Sequence, residues 1–109
     1  MMPLKAENNN HMKKTFMIEF DLPNTLTEEF LALIPKQRYM VNTLLANGTI
    51  KSYSLSLDRS RLWVVVSAES EFETLEIIDQ MPLADYLTPH VSELMFHNGA
   101  EVLMQFSLN

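Results

Sequence analysis

Residues 49–68, TIKSYSLSLDRSRLWVVVSA, decide the fold. Tyr, Leu, Trp and Val in the two arms suit a pleated, half-buried surface, and Asp58-Arg59-Ser60 supplies a polar turn, so the stretch reads as a β-hairpin. Placing Leu57 opposite Leu62 sets Leu55 against Val64 and Tyr53 against Val66 on one face. Ser56 then meets Trp63, Ser54 meets Val65 and Ser52 meets Ser67 on the other. The first face is apolar enough to lie under helices. The second is mixed, and leaves Trp63 and Val65 to be covered by a second subunit or a ligand.

Upstream, residues 15–22, TFMIEFDL, alternate with Phe16, Ile18, Phe20 and Leu22 on one side and Thr15, Met17, Glu19 and Asp21 on the other, which is a strand with one buried face. Thr25 followed by Glu28 has capping-box spacing, and Phe30, Leu33, Ile34, Val41, Leu44 and Leu45 recur at helical intervals up to Asn47-Gly48. Pro35 lies inside that helix and predicts a kink or break near Ile34. Downstream, Ser70 and Glu73 repeat the capping box, and Phe72, Leu75, Ile77 and Ile78 form the stripe of a shorter helix stopped by Met81-Pro82-Leu83. A connector over 84–88 leads to a strand over 91–96, VSELMF, and residues 101–108 have enough strand character to pair with a sheet edge, such as that of a partner subunit.

Strand, helix, strand, strand, helix, strand is the order of the α+β ferredoxin-like fold: a split β-α-β sandwich with a four-stranded antiparallel sheet and two helices on one face. The expected domain runs over 15–109, behind a disordered tail over 1–14 that mixes Asn, Lys, Glu and Pro without a period. A chain of 109 residues supports one core. A net charge of −6 with eight scattered Lys and Arg argues against nucleic acid and fits poorly with an anionic membrane. No cysteine is present, so there is no disulfide, thiol nucleophile or thiolate metal site, and a cytoplasmic setting is the default. Two glycines are too few for a phosphate-cradling loop.

Several short motifs together resemble the muconolactone isomerase-like proteins of the dimeric α+β barrel superfamily: Asp21-Leu22-Pro23, Asn47-Gly48-Thr49-Ile50, Leu62-Trp63, Ser70-Glu71, and Gln80-Met81-Pro82-Leu83 followed by Tyr86. The resemblance spans 16–96. It implies a cofactor-free homodimer, or a larger homo-oligomer, with a pocket for a small organic molecule in each half. It also implies proton transfer, as in an isomerase, on a small carbonyl or lactone compound. The true isomerases carry an additional tryptophan and arginines where this chain has Lys51-Ser52-Tyr53-Ser54, a departure that bears on lactone isomerisation itself.

Glu19 is the foremost candidate for moving a proton, because alternation points it to the uncovered sheet face, where loss of water raises a carboxyl pKa. A Glu paired with a cation across a dimer is the structural alternative. His90 is the candidate base, entering the sheet from the proline-flanked connector. Met17, Ser52, Ser54, Trp63 and Val65 are the candidate ligand wall, though plugging a barrel is the commoner role for a tryptophan placed like Trp63. No two histidines have metal-ligand spacing, so no metal is expected. Lys36 and Arg38 after Pro35 either bind a carboxylate or form a solvated helix face, the commoner arrangement. A non-catalytic dimeric module that binds a small metabolite or serves as an accessory subunit is the competing function.

Overall fold

The computed structural model describes residues 13–100, so residues 1–12 of the tail expected over 1–14, and the strand expected over 101–108, lie outside the described residues, while Lys14 already belongs to the first strand. The elements are β1 (Lys14–Asp21), α1 (Glu28–Ala46), β2 (Ile50–Leu55), β3 (Arg61–Ala68), α2 (Glu71–Asp79), a 3-10 turn (Ala84–Tyr86) and β4 (Thr88–Leu94). The strands form one antiparallel sheet in the order β2-β3-β1-β4, the ferredoxin-like arrangement. Phe16, Ile18, Phe20, Leu62, Val64 and Val66 pack in a single cluster with Phe30, Val41 and Leu44 of α1 and Ile77 and Ile78 of α2. Both helices therefore cover the same face. Met17, Glu19, Ser52, Ser54, Trp63 and Val65 alternate onto the other.

The hairpin pairs two residues away from the expected register, with Leu55 opposite Leu62, Tyr53 opposite Val64, Ser54 opposite Trp63 and Ser52 opposite Val65. The cause is the tip. Asp58 Oδ1 accepts from the Ser60 N–H at 2.9 Å, the Ser60 hydroxyl at 2.7 Å and the Ser56 hydroxyl at 2.8 Å, while the Ser56 N–H donates to Arg61 O at 2.9 Å. This lengthens the loop to Leu57 through Ser60, puts Arg59 in the left-handed region at φ 65°, and leaves Leu57 fully exposed. A shift of two residues preserves the faces, because side chains alternate with period two. A bulge between Ile50 and Ser52 then returns Ile50 to the helix side, where it is buried.

Three other expectations are corrected. The cap of α1 is Thr27, not Thr25: its hydroxyl accepts from the Phe30 N–H at 3.2 Å, with Glu28 and Glu29 in the first turn complementing the helix dipole. The helix also runs unbroken through Pro35, since Phe30 before it and Val41 and Leu44 after it are buried on one stripe. Burying three such side chains at about 1.5–3 kcal/mol each outweighs a proline penalty of about 3 kcal/mol. In α2, Ser70 caps as expected and accepts from the Glu73 N–H at 3.0 Å, but Phe72 and Leu75 are exposed and Thr74 is buried in their place. The Thr74 hydroxyl is satisfied by Ser70 O at 3.0 Å, which removes the cost of burying it.

The last strand, expected over 91–96, begins earlier, at Thr88, and takes Pro89 into the sheet opposite Phe20. Among the described residues β4 pairs only with β1, which makes it an edge strand, where a residue without an N–H is tolerated.

The Asp58 carboxyl is held at about 2, below its ordinary 3.8, first by the Ser60 N–H and then by the Ser60 and Ser56 hydroxyls. The folded value is the lower one, so the contribution of the carboxylate to stability is present above 3.8 and is lost as pH falls towards 2. Asp58→Asn is therefore expected to lower the urea midpoint near neutral pH, and the gap from the parent should close by about pH 2. A gap constant across an acid titration would show that the charge is not what holds the tip.

Candidate functional site

The open face brings all the expected site residues together in two adjacent rows. One row reads Ser54, Trp63, Glu19, His90 across the four strands, and the next reads Ser52, Val65, Met17, Ser92. Glu19 and His90 are thus register partners. Their side chains are nonetheless committed to other groups: Glu19 accepts from the Trp63 indole N–H at 3.1 Å and from Arg61 at 2.9 Å. Arg61 also reaches Asp21 at 3.0 Å through its Nε, and the other Asp21 oxygen lies 2.9 Å from His90 Nε2. A continuous chain of Trp63, Glu19, Arg61, Asp21 and His90 crosses the face.

Such a chain can orient side chains more than it can activate them. The Glu19 side chain is 40% exposed and Arg61 49% exposed, and ion pairs this wet contribute about 0–1 kcal/mol. Val65 is buried and Met17 and Trp63 are half-buried on this face. At its end, Ser56, Leu57, Asp58, Ser60, Arg61 and Trp63 line a depression of about 490 Å³ that is wide open and would leave most of a ligand in water. His90 lies within β4, exposed, just after the connector from which it was expected to enter the sheet.

On the helix face the geometry differs. α1, β2, the start of β3 and the segment after α2 enclose a partly closed cavity of about 280 Å³, walled by Phe30, Ile34, Leu62, Leu83 and Leu87. Its exposed lining residues, Leu55 and Arg38, mark a mouth between α1 and the edge strand β2. Gln37 and Tyr53 bring polar atoms to this apolar space.

Gln37 is almost fully buried, and its orientation follows from its partners. The Leu83 N–H can only donate, so the side-chain oxygen of Gln37 accepts from it at 3.1 Å and Nε2 must face the other way. There Nε2 donates to Tyr53 Oη at 3.2 Å and approaches Met81 Sδ at 3.7 Å. Tyr53 is the acceptor in that bond, which leaves its own hydroxyl proton available to a ligand. Burial pushes the phenol up from its ordinary value against the smaller opposing effect of the Gln37 bond, so near neutrality Tyr53 is a neutral donor.

Sequence reasoning assigned Tyr53 to the face opposite Trp63, which is where it lies, but gave it no site role and missed Gln37 altogether. The signal for Gln37 was its place on the stripe Phe30, Ile34, Gln37, Val41, Leu44, where a polar residue interrupts an apolar face. Among the described residues, no group of three or more His, Asp and Glu is placed to hold a metal ion, and no helix is long and apolar enough to cross a membrane.

No protein-family model matches the chain, and no curated protein matches it.

Gln37→Leu keeps the bulk of the side chain and strands the Leu83 N–H in an apolar interior. The expected loss is about 1–3 kcal/mol by chemical denaturation. An unchanged midpoint would mean that Leu83 finds another acceptor.

Proposed function

We propose that this domain binds a small, largely apolar organic molecule carrying an oxygen acceptor, in the cavity beneath α1. The observation that carries this reading is the Tyr53 hydroxyl at an apolar cavity: its oxygen already accepts from Gln37, locked by Leu83, and its proton has no acceptor among the described residues. A cavity of about 280 Å³ lies just below the usual range for ligand pockets, roughly 300–1,000 Å³, and suits a single-ring compound. The sheet separates this cavity from Glu19 and His90, so a ligand held there is out of their reach.

A cyclohexanone titration followed by NMR tests the placement. The Gln37 side-chain amide and the Leu83 N–H are expected to shift while the indole N–H of Trp63, the sole tryptophan, stays put. Shifts at the indole alone would move the site to the open face.

A second reading is favoured by the register pairing of Glu19 with His90. In it, two copies pack their open faces together, as in a dimeric α+β barrel, and enclose a small carbonyl or lactone compound between them. Glu19 and His90 then move a proton on it without a cofactor, as in the muconolactone isomerase-like proteins that the sequence resembles, and Met17, Ser52, Ser54, Trp63 and Val65 form the wall. The half-buried Met17 and Trp63 on a face that no helix covers support the pairing, whereas Val65, expected to need a cover, is already buried within the single chain. Sedimentation equilibrium at micromolar concentration is expected to give twice the 12.6 kDa chain mass, and Trp63→Ser to shift it towards the monomer. A pure monomer in the parent protein would remove the enclosed site and the proton-transfer reading with it.

A further inference from the structure

Arg38 is the one strongly basic group lining the cavity beneath α1, and it stands at the mouth. It takes part in no ion pair among the described residues, whereas Arg61 is shared between two carboxylates. An unpaired guanidinium beside an apolar space, in a chain whose net charge is −6, is a local exception to the surrounding field. Its planar donors match a carboxylate in two-point contact, and the low dielectric of an apolar wall strengthens such a contact over one in water.

We propose that the ligand of this cavity is a small ring-bearing carboxylate, its ring between Phe30, Ile34 and Leu62 and its carboxylate read by Arg38 and the Tyr53 hydroxyl. This inference rests on the small-molecule reading of the cavity and adds the ligand's charge to it. The two polar groups play unlike parts. Tyr53 donates one neutral hydrogen bond and accepts ketones, amides and acids alike. Arg38 supplies the charge and with it the preference for the anion. Burial keeps Tyr53 protonated, so it does not compete with the ligand as a second anion. Lys36 lies close by in sequence but is not among the lining residues, so the preference belongs to Arg38 and not to basic charge on the helix in general.

The test compares 4-ethylbenzoate with its neutral isostere 4-ethylbenzamide by calorimetry and NMR titration on the full chain. The parent protein is expected to bind the carboxylate about ten-fold tighter than the amide. Arg38→Gln should bring the two affinities to within about two-fold of each other, chiefly by weakening the carboxylate, Lys36→Gln should leave the preference intact, and Tyr53→Phe should weaken both compounds. Arg38 and Lys36 are exposed on α1, so both variants are expected to fold, and a matching thermal melt checks this. If the amide binds and the carboxylate binds no tighter, the carboxylate proposal falls and the cavity site stands. If neither compound shifts the Gln37 and Leu83 signals, the cavity reading falls and this proposal with it. Equal loss of preference in Lys36→Gln and Arg38→Gln would reduce the effect to diffuse surface charge and overturn the assignment to Arg38.

Discussion

A single buried amide ties together elements that wall the cavity beneath α1. The oxygen of Gln37 takes the Leu83 N–H and its nitrogen reaches Tyr53 and Met81, so one side chain fixes α1, β2 and the segment after α2 relative to one another. A buried donor or acceptor without a partner costs about 1–3 kcal/mol, which makes these contacts mutually obligatory. Most of the cavity wall comes from the same three elements, with Leu62 of β3 and Leu22 after β1 completing it. Hydrogen bonds of 3.1 and 3.2 Å hold a polar floor under an otherwise apolar space.

The second constraint is that both helices lie on one side of the sheet. Alternation along β2 and β3 then gives each strand two duties, with Tyr53, Leu55 and Leu62 turned to the helices and Ser54 and Trp63 turned away. The core side is an apolar interior opened only by the cavity beneath α1, and in it Phe30 stacks edge-on against Tyr86 with centroids 5.5 Å apart. The other side is a charged lattice built around Arg61. Its members hold one another in place, and each retains enough contact with water that no single pair dominates the stability of the fold.

Most of this architecture was legible in the sequence because it rests on period-two and helical patterning, which survive local error. The hairpin register was misplaced by two residues, yet the side chains from Ser52 to Leu55 kept their faces and Leu57 was lost to the exposed loop, whereas an error of one would have exchanged Tyr53 with Trp63. What could not be read were outcomes of competition. Pro35 and Pro89 look like breakers, and packing on α1 and the edge position of β4 overrule them. The three-pronged acceptance by Asp58 lengthened a loop that composition alone would close sooner. The open-face residues were found together because they alternate along neighbouring strands. Gln37 was missed because its role depends on a backbone N–H 46 positions away, and no local pattern reports that.

The two sites differ in what they require of assembly. A carboxylate that moves protons near neutrality needs water taken away from it, and Glu19, 40% exposed with a guanidinium 2.9 Å away, has been given a partner in place of a dry pocket. Only something laid over the open face would supply the missing desolvation, and it would have to accommodate Asp21, Arg61 and His90 at the same time. Proton transfer at Glu19 and pairing of the sheet faces are therefore one hypothesis, standing or falling together. The cavity beneath α1 needs no second copy, because its walls, its donor and the cation at its mouth all come from one chain.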